Sequence, residues 1–272
     1  MPSRKSLDRW TSGWGDRLFR IYVLLYILYV LLPLAVVVLY AFNTSEYLIW
    51  PLEGLTLDWF GAALDDSKLM AALTNSLTIA TATMVLSIII GTTFAYGLVR
   101  FRFRGKALLE TVNVLAIITY GVVSAISVLV WFRTLGIPLG LWATVIAHTT
   151  FIMPFGFMVI RDRLLNFDTA LEEAAMDLGA GRLRTLCDIT IPLITPAIIA
   201  AGMFCFTISL GEFLLSLFLN GTDLTLPVYI YSRMRFDFTP SVNAAATMIV
   251  SFPIVVVILV AIFFRREVRS LF

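Results

Sequence analysis

The 272 residues are 60% hydrophobic and 14% charged, with a formal net charge of +2, whereas ordinary soluble domains carry roughly a quarter charged residues. That excess excludes a soluble globular core. A single histidine and two cysteines, Cys187 and Cys205, outside any CxxC or Cys/His spacing exclude a haem or multi-histidine metal centre, so no metal is expected.

Crossing a hydrocarbon layer takes about 20 apolar residues in helical form, because lipid offers no partner for an unpaired backbone N–H or C=O. Stretches free of Asp, Glu, Lys and Arg cover 21–45, 69–99, 111–132, 134–160, 189–211 and 238–264, each long enough to span. The first, from Ile21, is apolar on all sides, unlike a barrel strand, which alternates lumen and lipid faces. It is also too long for a signal-peptide core and no small-residue cleavage site closes it, so it is expected to be retained. The expected fold class is all-α and polytopic. Residues 1–20 form an N-terminal segment, 21–45 the first of six transmembrane helices, 70–264 a core of five more, and 265–272 a tail.

Charge assigns the sides. Arg and Lys near helix ends resist translocation and mark the cytoplasm. With the N-terminus inside, sixteen of the twenty basic residues are cytoplasmic, leaving Lys68, Arg133, Arg233 and Arg235 outside. Both termini are therefore expected in the cytoplasm, with lipid around the helices and no nucleic-acid partner. The outer loop from about 43 to 70 carries Glu46, Glu53, Asp58, Asp65 and Asp66 against Lys68, together with Trp50 and Trp59. It reads as a solvated loop with interfacial aromatics or as a docking surface for an extracytoplasmic protein.

The connection between the fourth and fifth spans, residues 161–188, reads as a folded segment. Thr169-Ala-Leu-Glu172 fits a capping box, in which a hydroxyl and a carboxylate three residues on satisfy the free N–H groups of a helix start. Leu171, Ala174, Ala175 and Leu178 fall at helical spacing on one stripe. Gly179 stands where a left-handed C-cap is expected, and Arg182–Ile189 leads as a second short helix to Pro192. Small residues at Ala174 and Ala175 admit a close backbone. Five acids (Asp168, Glu172, Glu173, Asp177, Asp188) suit a protein partner better than an anionic leaflet.

Glu173-Ala174-Ala175, three residues, Gly179, nine residues, Ile189, one residue, Ile191-Pro192 resembles the EAA signature of binding-protein-dependent ABC importer permeases, with Ile191 in place of the family's leucine. Arg100–Lys106, Leu139–Ala143 and Pro240–Thr247, together with Leu171–Gly179, make the chain look most like the second permease subunit of spermidine/putrescine importers. The resemblance implies a type I importer fold, a second permease subunit, two ATPase subunits that bind ATP and Mg beneath, an extracytoplasmic solute-binding protein, and a bacterial inner membrane location. It further implies that Glu173, Ala174, Ala175, Gly179, Ile189, Ile191 and Pro192 form the coupling element docked in an ATPase cleft. No G-x-x-x-x-G-K-[ST] phosphate loop is present, so no cofactor is expected on this chain and it is not expected to be an enzyme.

Inside the spans, Glu212 interrupts the apolar stretch Phe204–Phe218, and an ionisable group at depth is a functional candidate by default. A carboxylate there offsets ammonium dehydration; its alternative reading is a helix-interface acid. The acid that polyamine permeases often show beside it is Gly211 here, which leaves iron, thiamine, phosphonate, amino acid or opine as alternative solutes. His148 reads as a helix-to-helix hydrogen-bonding residue or a pathway residue. Tyr120 and Trp131 are candidates for cation–π contact with an amine. An ion-coupled secondary transporter needs acids in several spans or broken inverted repeats, and Glu212 alone gives little; for a membrane enzyme such as an intramembrane protease, a single histidine and no Gly-x-Ser-x-Gly elbow leave little from which to build a nucleophile and base.

Overall fold

The computed structural model describes residues 13–46, 50–119, 121–236 and 240–268. They fall into two compact units, one within Met1–Asp65 and Phe236–Phe252, the other within Asp66–Arg235 and Pro253–Phe272.

In the first unit, α1 (Gly13–Ala41) is a 29-residue helix whose apolar side chains from Leu18 to Leu34 are exposed around its whole circumference. A helix apolar on all faces belongs in lipid. After α1 the chain folds back on itself. Asn43 and Leu55 form an antiparallel bridge, the Thr56 N–H donates to the Phe42 carbonyl at 2.8 Å, and the Trp59 indole N–H donates to the Asn43 carbonyl at 2.7 Å. Trp59 thus ties α2 (Asp58–Asp65) to the turn. Ala41, Ala63 and Ala244, buried against Phe42, Phe60 and Met248, close this small core.

In the second unit, α3 (Ser67–Arg100), α4 (Lys106–Ile118), α5 (Val122–Thr134) and α6 (Leu141–Leu165) lead to the short α7 (Ala170–Asp177). Next, α8 (Arg182–Thr185), a wide π turn (Leu186–Thr190) and α9 (Ile191–Gly211) follow as one 30-residue rod. The chain ends with α10 (Leu214–Leu219), α11 (Leu226–Phe236) and α12 (Pro240–Val268), whose start lies in the first unit. The core is α3 against α6 and α9, where Ala95, Leu98, Phe157, Ile160, Leu164, Ile194 and Ala201 are buried. Hydrophobicity does not hold helices together in lipid, so close backbone approach and dispersion must. Gly156 shows the closeness: a Cβ there would lie 2.8 Å from the Cys205 sulfur on α9.

Among the described residues, four helices are long and apolar enough to cross a membrane: α1, α3, α6 and the α8–α9 rod. Taken together, α4 and α5, bent by 109° at their junction, have the length and composition of a fifth, and α12 runs 29 residues. The expected third span, 111–132, is therefore not a continuous helix. Its broken backbone is partly re-satisfied by hydroxyls: Thr119 donates to the Leu115 carbonyl at 2.9 Å, and Ser124 donates to the Thr119 carbonyl. Boundaries shift as well. The first helix begins by Gly13, before residue 21, and α6 carries Arg161 and Arg163 to Leu165, so the connecting loop is shorter than 161–188.

Candidate functional site

The site is α7 and what holds it. Its first turn is not closed by the expected capping box. Thr169 makes no side-chain cap; the Asp168 carboxylate accepts from the Ala170 N–H at 3.0 Å instead. Glu172 is turned inward and only 6% exposed. One of its oxygens lies 2.8 Å from Arg100 Nε. The other accepts from Arg100 Nη2 at 3.3 Å and from the Thr190 hydroxyl at 2.7 Å. Arg100 ends α3, and its guanidinium also stands 5.6 Å over the Phe167 ring. Sequence reading missed this cluster because its members are 72 and 18 positions apart. The local signal was the doubled acid Glu172-Glu173 in a single turn.

The opposite face of α7 is open. Leu171 and Leu178 are 48% and 90% exposed, Glu173 and Ala174 are exposed, and Ala175 is half-buried. The apolar stripe therefore points away from its own chain. Gly179 closes α7 with φ +89°: its N–H donates to the Met176 carbonyl at 2.9 Å and the Ala180 N–H reaches back to Ala175 at 3.0 Å. This is a Schellman turn, which wants a residue without Cβ. Beyond it, Ile189 and Ile191 are half-buried and Pro192 is exposed at the start of α9.

A second polar cluster lies deeper. Glu212 is not inside a helix, contrary to the reading of Phe204–Phe218 as one stretch. It sits in an extended break after α9, where its Oε1 accepts from the Leu215 N–H at 2.9 Å and caps α10. His148, 1% exposed, joins the two sides of that break: Nδ1 is 2.8 Å from the Ser209 hydroxyl and Nε2 is 3.3 Å from that of Ser216. Ser216 in turn donates to the Glu212 carbonyl at 3.0 Å. The structure thus brings His148 to the Glu212 segment. It does not bring Trp131 there. Trp131 is exposed and lines an open groove of about 610 Å³ with Ser124, Ser127 and Phe151. Tyr120 lies outside the described residues. Among the described residues no cluster of His, Cys, Asp and Glu has the makings of a metal site.

Comparison with known proteins follows the same lines. A family model described as "binding-protein-dependent transport system inner membrane component" matches residues 84–269. The chain belongs to that family. As an importer permease it is 34% identical over 258 residues to the spermidine/putrescine transport system permease protein PotC of Escherichia coli K12, covering 94% of this chain and 95% of that one. It is also 36% identical over 229 residues to the putrescine transport system permease protein PotI of the same organism, covering 80% of each. Its fold matches a chain in the crystal structure of a bacterial ABC transporter involved in alginate import, with TM-score 0.66 and 18% identity over 100% of this chain and 99% of the other. The α7 cluster lies inside the family match, between the core helices of the permease.

Proposed function

We propose that this permease subunit imports polyamines. The likeness to PotC and PotI along most of its length carries the reading. In it, a binding protein delivers the solute outside, this chain and a second permease form the pathway, and two separate ATPase subunits bind and hydrolyse ATP with Mg. This chain holds no nucleotide. Both termini lie in the cytoplasm, as the distribution of basic residues suggests.

The outward face of α7 is where the ATPases dock. Its exposed leucines and small Ala174 offer a short apolar ridge that a cleft encloses, while exposed Glu173 meets a basic group there. Closure of the ATPases displaces α7. Ile189, Ile191 and Pro192 pass that movement from the π turn into α9. In the pathway, Trp131 and the neighbouring groove supply an aromatic face for an ammonium group. Glu212, held by the Leu215 amide, and His148 maintain the α9–α10 break at the pathway wall.

The test is uptake of labelled spermidine and putrescine by the chain co-purified with its ATPase, partner permease and binding protein in ATP-loaded vesicles. Glu173→Ala is expected to reduce uptake at least about tenfold with the complex still assembled, in line with coupling energies of about 1–3 kcal/mol. Unaltered uptake by Glu173→Ala sinks the docking role. Failure to take up either amine, with uptake of another small solute, sinks the substrate.

A further inference from the structure

The covalent links of α7 are soft. Residues 166–169 enter it without regular structure, and it leaves through the Gly179 turn and extended Gly181. A push on its outer face would pivot such a helix and be lost in the turns. Glu172 opposes that pivot from the inner face. Both its oxygens are engaged, with Arg100 at the end of α3 and with Thr190, fully buried, at the head of α9. Arg100 is itself fixed over Phe167.

Stability alone does not account for this arrangement. Desolvating two charges offsets much of their attraction, so a well-packed apolar pair of similar size is commonly as stable. What an apolar pair lacks is direction: the charge-assisted hydrogen bonds that Arg100 Nη2 and the Thr190 hydroxyl donate to Glu172 Oε1 fix angle as well as distance. We propose that Arg100, Glu172 and Thr190 are positioning residues forming a strut that makes α7 move as one body with the ends of α3 and α9. Displacement of α7 then reaches two of the three core helices directly, bypassing the turns. This rests on α7 being the ATPase-docking helix.

The experiment measures solute taken up per ATP hydrolysed by the whole complex in vesicles, a ratio that mere loss of folded complex does not move. The double variant Arg100→Met/Glu172→Leu is expected to assemble and hydrolyse ATP while the ratio falls about tenfold, an ordinary size for coupling between sites. The swapped pair Arg100→Glu/Glu172→Arg is expected to recover part of it. A wild-type ratio in the apolar double variant overturns the strut. Should that variant fail to assemble, Thr190→Val, which removes one hydroxyl, carries the test: a lowered ratio supports the strut and an unchanged one overturns it. If the wild-type complex shows no ATP-driven uptake of any solute, the docking role of α7 falls instead.

Discussion

Asp66 caps α3 with its own carboxylate, which accepts from the Lys68 and Leu69 amides at 2.9 and 3.2 Å. Burial would raise its pKa, but the Tyr229 hydroxyl, the two amides and Arg233 outweigh that and hold it below the ordinary 3.8. A carboxyl lowered on folding stabilises above its unfolded value, and that stabilisation is lost as pH falls through the folded one. Asp66→Ala is therefore expected to cost about 1 kcal/mol at neutral pH, and the difference should shrink as pH drops below 3.8. Thermal unfolding in detergent at several pH values checks it; a pH-independent cost would show that the ionised carboxylate is not the cap. Single residues were legible where the rule is local. Gly179 takes the left-handed conformation that its place after a short apolar stripe implies. Glu172 misled because its spacing from Thr169 satisfies a local rule, while a half-buried arginine distant in sequence competes for the same carboxylate and wins.

The core helices were legible for a different reason. A helix excludes charge along the part of it that lies in lipid, so the central stretches of α3, α6 and α9 announce themselves as uncharged runs. Breaks within such runs leave only single-residue marks, Gly121 with φ +148° at one and the acid Glu212 at the other. The bend between α4 and α5 and the extended Glu212 carry no proline, and the hydrogen bonds that stabilise them come from Ser124, Thr119 and the Glu212 side chain. Helix packing yields a second prediction. A side chain at Gly156 meets the buried Cys205 sulfur, and overpacking of this kind costs about 1–3 kcal/mol. Gly156→Val should lower the melting temperature in detergent, and Cys205→Ala in the same chain should restore part of the loss. Equal destabilisation with and without Cys205→Ala would place the conflict elsewhere.

For the whole molecule, sidedness is the quantity that charge counting predicts and that two cysteines make measurable. Cys187 is exposed in the π turn beside α7, whereas Cys205 is buried. A membrane-impermeant maleimide should therefore label the chain, expressed without its partners, in inside-out vesicles, at one site and not in intact spheroplasts. Labelling from outside would invert the topology. The π turn has a consequence of its own. Its wider hydrogen bonding inserts one residue into an otherwise α-helical rod, so everything from Ile191 onward is rotated by about 100° relative to an unbroken helix. Angular phase is thus set between Arg182 and Thr190. Ile194 and Ala201 meet the core because of it. The nine residues separating Gly179 from Ile189 work as a vernier: one more or one fewer would leave a perfectly good helix, aimed at the wrong neighbours.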